Sequence, residues 1–337
     1  MDWFTVTLYI LLGAAGLAAL AFIGFLTYVL CTYLGVVVRI FEEKPLFIIP
    51  RGQPVPGSEE VRFPTADGLT LAGSYLRTPQ PTRRGVVLFG PEFGSNRWSC
   101  STYCAGLLQN GFDVFTFEFR NQGESDSQPG YEPLQWVTAG EVADVQAALA
   151  YLKRRPDADP RGVGVVGVSR GGGAALCAAA ADPWVRCVVT DGAFATVTTM
   201  VPYMRKWVAI YSDFLRLQRW LPEWIYILIA RLALRHLGRR RRCRFPSMER
   251  AIARIAPRPL LMIHGGADTY IKPEIARKLF ARAREPKEFW LVEGAKHNQA
   301  LHVANGAYQA RVLEFFTRHL AGPTLPEPAG QQLVATA

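Results

Sequence analysis

The sequence predicts an α/β fold in which a mostly parallel β-sheet is covered by helices on both faces. Short apolar segments, which are typical of strands buried on both faces, alternate along the chain with helical segments. The segment 140–153 shows the helical pattern, because its apolar residues recur at i, i+3, i+4 and i+7 and form one buried face. Two strands around the turn at 66–68 come before this alternation, so we expect one domain and not two.

The individual elements follow from apolar runs bounded by glycine, proline and asparagine. The run 85–89 is wholly apolar, and the helix 99–109 is expected to end at Asn110-Gly111. The predicted strands are 60–63, 69–76, 85–89, 112–119, 162–168, 187–190, 259–263 and 288–292. The predicted helices are 99–109, 140–153, 170–181, 273–283 and 307–320. The connection between 190 and 259 is far longer than usual and marks an insertion.

Residues 1–40 are expected to form a membrane anchor. No charged residue occurs within 3–38, and about 20 apolar residues are enough to cross a bilayer as a helix. A cleaved signal peptide would have a basic start and a shorter apolar run, and a buried helix would have an amphipathic stripe. The cations Arg39, Lys44 and Arg51 follow the span, so the positive-inside rule places the rest of the chain in the cytoplasm.

The composition further restricts the class of protein to which the chain can belong. The chain has 337 residues, a net charge of +10 and 50% hydrophobic residues, which allows a large core and excludes a disordered chain. Its six cysteines show no C-x-x-C pair and no zinc spacing, so we expect reduced structural thiols and no metal or cofactor. No aromatic-lined strand platform accompanies the positive charge, so nucleic acid is not an expected partner.

Ser169 is the strongest candidate for a chemical role. It lies in Gly167-Val-Ser-Arg-Gly171, which matches G-x-S-x-G, between an apolar strand and a helix of small residues. In this sharp strand-to-helix turn the serine stands above the strand end, at the positive end of the helix, and glycines remove the side chains that would collide. An ordinary glycine-rich turn is the alternative.

A serine hydroxyl needs a base, and the histidine of a Ser-acid-His triad is expected after the last strand. His297 lies there, and His302 is its competitor among the five histidines. Asp268 follows a Gly-Gly turn just past the preceding strand and is the expected acid, which would orient the imidazole. Asp191, after the strand before that one, is the alternative acid. We therefore predict a catalytic triad of Ser169, Asp268 and His297.

The oxyanion hole of such a site needs two backbone N–H donors. One is expected from Arg170, directly after the serine. The other is expected from the loop 90–94, where Phe93 is the first choice and Glu92 the second, because Pro91 has no N–H.

These motifs make residues 58–321 resemble the α/β-hydrolase superfamily. Within it, the chain is similar to the membrane-anchored, single-pass hydrolases of the serine-aminopeptidase-like and acyl-thioesterase-like branches. The resemblance rests on the motifs at 167–171, 265–268 and 294–297, and on the loop 119–125, whose arginine is usually structural in the family. It implies an α/β-hydrolase fold with a helical lid and a reaction through an acyl-enzyme.

The chain departs from this family in the loop that supplies the second oxyanion donor. Relatives usually have His-Gly where this chain has Pro91-Glu92, so the backbone donor remains and a local hydrogen bond is lost. Serine at position 169 argues against dehalogenase or epoxide hydrolase chemistry, for which the superfamily uses aspartate. The triad leaves cofactor-free haloperoxidase chemistry open.

The insertion, at about 193–257, occupies the position of the family's lid. Its segment 220–234 is strongly apolar, but it is too short for a second span and is interrupted by a proline and two charged residues. We expect it to lie in the membrane interface, where the arginine-rich residues 235–244 would attract anionic lipids. The alternative is a lid buried against the catalytic domain with a solvated basic rim.

The sequence as a whole predicts a membrane-anchored serine hydrolase of carboxylic esters or acyl thioesters with a lipid-like substrate. Residues 41–57 would be a linker, 58–321 the catalytic domain with its lid, and 322–337 a flexible tail. Membrane lipids and the ester substrate are the expected partners, and the sequence indicates no oligomeric state. The rival functions are a peptidase or amidase on the same triad and a non-catalytic, membrane-tethered protein of the same fold.

Overall fold

The structure, a computed structural model, describes residues 2–42, 51–211 and 222–321. Eight strands form one sheet in the order β1-β2-β4-β3-β5-β6-β7-β8. The strands are β1 Glu59–Pro64, β2 Thr70–Leu76, β3 Gly85–Gly90, β4 Phe112–Phe117, β5 Val163–Val168, β6 Val185–Asp191, β7 Leu260–Gly265 and β8 Lys287–Val292. Strand β2 pairs antiparallel with β1 and β4, and the remaining neighbours are parallel. The predicted hairpin followed by a mostly parallel sheet is confirmed.

Helices cover both faces of this sheet. They are α1 Trp3–Glu42, α2 Cys100–Tyr103, α3 Ala105–Leu108, α4 Ala139–Arg154, α5 Arg170–Ala181, α6 Met200–Tyr211, α7 Glu223–Arg240, α8 Met248–Ile252, α9 Pro273–Phe280, α10 Ala300–Ala304 and α11 Gly306–His319. One hydrophobic cluster lies between the sheet and α4, α5, α8 and α9. A second lies between the opposite face and α2, α3, α10 and α11. The predicted arrangement of helices is therefore confirmed.

One predicted helix differs from the structure. The segment 99–109 forms two short helices, because Cys104 between them has φ −110° and ψ 8° and leaves the helical path. Just after this break, the Gly106 N–H donates a hydrogen bond to Gln309 Oε1 of α11 at 3.1 Å. The close approach of α11, which comes about 200 residues later in the chain, leaves no mark on the local apolar pattern, so the pattern alone predicted one continuous helix.

The insertion forms α6 and α7, and α7 packs along α1. The ring of Phe22 in α1 lies 5.8 Å from the ring of Trp224 at the start of α7, centre to centre. Glu42 at the end of α1 forms an ion pair of 2.8 Å with Arg241, just past the end of α7. The two helices therefore run side by side in the same direction. The buried residues of α7 are Ile225, Tyr226, Ile229, Ala230, Ala233, Leu234 and Leu237.

This burial changes the interpretation of the segment 220–234. Its apolar face is covered by α1, α6 and the catalytic domain, whereas the sequence analysis expected it to lie in a membrane interface. The structure follows the alternative, a lid buried against the rest of the chain. The prediction differed because an apolar face at helical spacing has the same pattern whether lipid or protein covers it. Residues 212–221, which include the start of this segment, lie outside the described residues.

Helix α1 contains a stretch of 30 residues, Trp3–Thr32, that is long and apolar enough to cross a membrane; among the described helices it is the only one. A signal sequence near the N-terminus would meet the same criteria of length and composition. Residues 43–50 of the predicted linker and the whole predicted tail, 322–337, lie outside the described residues.

Candidate active site

Ser169 lies at the sharp turn between β5 and α5, as the motif predicts. Its backbone has φ 49° and ψ −116°, a conformation that a residue with a side chain rarely adopts. A Cβ on Gly167 would lie only 2.6 Å from the Cα of Gly172, and one on Gly171 would overlap the carbonyl oxygens of Gly90 and Pro91. The glycines are therefore required because the turn brings three segments of backbone into contact.

The structure brings the three predicted triad residues together in one hydrogen-bonded chain. Ser169 Oγ lies 3.0 Å from His297 Nε2, and His297 Nδ1 lies 2.7 Å from Asp268 Oδ2. All three side chains are buried. The other oxygen of Asp268, Oδ1, accepts hydrogen bonds from the backbone N–H groups of Tyr270 and Ile271, each at 2.8 Å. These bonds fix the carboxylate, so Nδ1 of the imidazole carries the proton and Nε2 is left to face the serine.

The two residues that the sequence offered as alternatives lie elsewhere. His302 is exposed on α10. Asp191 is buried at the end of β6, where its backbone carbonyl accepts the Ser169 N–H at 2.7 Å, and none of the hydrogen bonds of the described residues joins its carboxyl group to His297.

His264, which follows directly after the predicted strand 259–263, is a further neighbour of this site. Its Nε2 lies 2.8 Å from the carbonyl oxygen of Ile271 and 3.5 Å from Asp268 Oδ2. Burial lowers the pKa of His264, so the ring is neutral at pH 7 and donates from Nε2 to Ile271. It thereby holds the turn that carries Asp268. Its position four residues before Asp268, at the end of β7, is the feature of the sequence that could have indicated this role.

The two predicted oxyanion donors lie on segments that meet at the turn. Arg170 is the first residue of α5, so its N–H has no partner within the helix. The Phe93 ring lies 4.9 Å from the Arg170 guanidinium. Among the backbone hydrogen bonds of the described loops, none is donated by Phe93. Both N–H groups are thus available to a ligand.

The Arg170 side chain fixes this junction. It is fully buried, and its Nη1 donates to the carbonyl oxygen of Leu134 at 2.9 Å and lies 3.4 Å from Glu141 Oε1. The guanidinium also lies over the ring of Phe119, at 5.3 Å from its centre. The residue after the predicted nucleophile is therefore anchored to α4 and to the loop before it, which keeps the turn rigid.

Two buried carboxyl groups lie close to the predicted triad. Burial raises the pKa of Glu92 to about 8 and that of Asp191 to about 7, and the nearby charges of Asp191 and Asp268 respectively act in the same direction. The Ser99 hydroxyl lies 3.5 Å from Glu92 Oε2, whereas Glu92 Oε1 has no hydrogen-bond partner. Glu92, which lies where this chain departs from the family's usual His-Gly sequence, is therefore protonated at neutral pH.

We expect Glu92→Gln to become increasingly more stable than the wild type as the pH rises. The folded pKa of Glu92 is raised, so its contribution to stability is greatest at low pH and is lost between the unfolded value of 4.5 and the folded value of about 8. Glutamine removes this loss, and the difference in unfolding free energy should grow by at most about 1.4 kcal/mol per pH unit. Guanidinium unfolding of both proteins in mild detergent at each pH measures it; a constant difference would contradict the assignment.

An eight-stranded, mostly parallel sheet with a serine at the turn after β5 is the architecture of the α/β hydrolases. The chain belongs to the alpha/beta hydrolase family: the sequence model of that family matches residues 85–312.

Similarities to known proteins are consistent with this family. The protein YfhR of Escherichia coli K12 is 26% identical over 264 residues, which cover 77% of this chain and 80% of YfhR. The polyketide transferase claH of Penicillium crustosum is 32% identical over 152 residues, 44% of this chain and 48% of claH. Among solved structures, the esterase Pf2001 of Pyrococcus furiosus is 22% identical and superimposes with a TM-score of 0.60, covering 83% of this chain and 100% of the esterase. This last similarity shows the fold.

Proposed function

We propose that the protein is a serine hydrolase that cleaves carboxylic esters or acyl thioesters. The observation that carries the proposal is the hydrogen-bonded chain from Ser169 Oγ through His297 to Asp268. Ser169 attacks the carbonyl carbon, and His297 Nε2 takes its proton and then passes it to the leaving group. Asp268 holds the imidazole in the required tautomer and stabilises its protonated form. The family of the chain and the esterase among its structural neighbours support this chemistry.

The oxyanion of the tetrahedral intermediate is held by the backbone N–H groups of Arg170 and Phe93. The Arg170 N–H lies at the positive end of α5, which adds the field of the helix to the hydrogen bond. Departure of the alcohol or thiol leaves an acyl group on Ser169, and water, activated by His297, releases the acid and restores the serine.

The lid supports an apolar acyl group as the substrate. Helix α6 reaches the turn that carries the triad acid, because the Tyr203 hydroxyl donates to the carbonyl oxygen of Tyr270. The Tyr270 ring in turn lies 5.1 Å from the imidazole of His297. Apolar side chains of α6, including Met200 and Met204, belong to the cluster beneath the lid. Both side chains are buried in this cluster, so the lid offers an apolar environment that favours a chain of methylene groups over a polar acyl group.

The N-terminal helix supports a location at a membrane. We propose that α1 spans the bilayer once and that the catalytic domain faces the cytoplasm, because Arg39, Lys44 and Arg51 follow the apolar stretch Trp3–Thr32. An anchored domain meets lipid-like esters where they are most concentrated. Proteinase protection of a C-terminal tag in sealed vesicles tests this orientation.

Activity should increase with the length of the acyl group. Each buried methylene contributes about 0.8 kcal/mol, so kcat/KM is expected to rise at least about 10-fold from acetyl to octanoyl substrates. A series of p-nitrophenyl esters and matched acyl thioesters from acetyl to palmitoyl measures it, and the corresponding amides test the rival peptidase or amidase function. Ser169→Ala provides the background rate. Highest activity on acetyl substrates would contradict the lipid-like substrate, and activity on amides alone would contradict the esterase.

A further inference from the structure

One side of the lid helix α7 carries a row of arginines. Arg231, Arg235 and Arg239 are four residues apart, so they lie on the same side of the helix, and all three are exposed. Arg242 lies two residues past the end of the helix and has φ 50°. The opposite side of α7 is the apolar face buried against α1 and α6. The helix thus separates a buried apolar face from an unbroken row of positive charge.

This row forms one wall of a cavity of about 1060 Å³. Arg244, Arg250 and Arg282 approach it from other elements, and the loop 196–198 also lines it. Neither Ser169 nor His297 lines the cavity. The cavity is therefore separate from the predicted triad, and its volume is in the range of sites that hold a ligand of the size of a nucleotide or a lipid headgroup.

Among the described residues, the arginines of the cavity differ from their neighbours in having no carboxylate partner. Arg240 and Arg241, which point to α1, pair with Glu42 at 4.0 and 2.8 Å. By contrast, within 2–42, 51–211 and 222–321 no ion pair is formed by any of the seven lining arginines. Like charges four residues apart on a helix destabilise it, so an anion that binds among them would stabilise the lid.

Glu249 is the one acidic side chain among the described residues that line the cavity, and its carboxylate already has hydrogen-bond partners. Glu249 Oε1 accepts the backbone N–H groups of Val197 and Thr198 at 2.8 and 3.1 Å, and Oε2 accepts the Ser247 hydroxyl at 3.0 Å. These bonds lower the pKa of Glu249, although burial opposes them, so its charge is fixed in the wall. In the described part of the lining, seven guanidinium groups against one carboxylate leave a large positive excess.

We propose that this cavity binds a ligand with several phosphate groups. The guanidinium is planar and presents paired N–H donors that match phosphate oxygens, and arginines from several elements can contact more than one phosphate. The phosphates come from the headgroup of a phosphorylated lipid or from a soluble polyphosphate compound; the recognition chemistry is the same. Because α7 lies along α1, a bilayer that holds α1 brings lipid headgroups within reach of this side of the lid. The site does not depend on the proposed catalytic function.

Both sources of phosphate, the lipid headgroup and the soluble compound, are tested with the full-length protein. In mild detergent, calorimetric titration with inorganic triphosphate measures binding of the free anion. In nanodiscs, the thermal stability in phosphatidylcholine alone is compared with that in phosphatidylcholine containing a bisphosphorylated phosphoinositide. We expect Arg235→Gln with Arg239→Gln to weaken binding at least about 10-fold, and binding to weaken with added salt. The control Arg154→Gln with Arg240→Gln removes the same charge outside the cavity and should change affinity less than about 2-fold.

The outcomes of these experiments distinguish the two sources of phosphate and also test whether the cavity binds phosphate at all. Triphosphate binding that the cavity variant loses identifies a soluble ligand, and stabilisation by the phosphoinositide that the same variant loses identifies a headgroup. Absence of both effects, or equal weakening by cavity and control variants, overturns the proposal. Circular dichroism checks that each variant is folded. Arg231→Gln with Arg282→Gln provides a second cavity variant, in which one residue lies on α7 and the other lies past the end of α9. Hydrolysis of a short soluble ester should stay unchanged in all of them, since none of these residues contacts the triad.

Discussion

Replacing Ser169 by alanine is expected to lower kcat by about 10⁴-fold or more, to the rate that binding and the oxyanion donors alone support. His297→Ala should have an effect of the same size, because the serine is not activated without its base. The two changes together should cost little more than either alone, since both residues act in one step. Asp268→Asn should lower kcat by about 10⁴-fold, because an amide at that position favours the wrong imidazole tautomer. Steady-state kinetics on the best ester of the acyl series measure these effects.

The matched control for the base is His302→Ala. This histidine lies five residues from His297 in the sequence but is exposed on α10, so its removal should leave kcat within about 2-fold. If Ser169→Ala retained activity within 10-fold of the wild type, the proposed mechanism would be wrong. If His302→Ala and not His297→Ala removed activity, the assignment of the base would be wrong.

Arg120→Met is expected to destabilise the fold by about 3–5 kcal/mol. Arg120 is fully buried after β4, and its guanidinium binds Asp144 Oδ1 at 2.7 and 2.9 Å, while Asp67 and Gln128 accept from Nη1 at 2.7 Å each. The Arg120 backbone N–H also donates to Asp144 Oδ2 at 2.9 Å. Asp144 is fully buried in α4, and burial raises its pKa to about 6 even with the arginine present. Methionine would strand this carboxyl group without its charge partner.

The free energy of unfolding by guanidinium in mild detergent measures this loss. The matched control is Arg62→Met, which removes an exposed arginine that pairs with Glu124 at 3.9 Å and should cost less than about 1 kcal/mol. Adding Asp144→Leu to Arg120→Met should recover part of the stability, because the stranded carboxyl group is gone. A loss below 1 kcal/mol for Arg120→Met would show that the buried pair is not what holds this loop.

Features that depend on local sequence were predicted well. The succession of strands along the chain and the mostly parallel sheet follow from apolar runs separated by helices, and the turn at Ser169 follows from glycines that must allow backbone contact. The positions of Asp268 and His297 were predicted because each lies just past a strand whose carboxyl end meets that of β5 in a parallel sheet. Parallel topology thus converts positions far apart in the sequence into neighbours.

Features that depend on contacts between distant segments were not predicted. The apolar face of α7 is covered by α1, and nothing in its own pattern distinguishes this cover from lipid. The raised pKa of Glu92 depends on its burial and on the nearby charge of Asp191, which belongs to another element. The cavity is formed by arginines from α7, α8 and the end of α9, so the run of arginines at 235–244 alone indicated only a basic surface.

Labelling with a fluorophosphonate probe tests directly whether Ser169 is an activated nucleophile. The probe reacts with a serine only when a base and an oxyanion site activate it. We expect that the full-length protein is labelled, that peptide mass spectrometry places the adduct on Ser169, and that Ser169→Ala is not labelled. Undiminished labelling of Ser169→Ala, or an adduct on another residue, would contradict it.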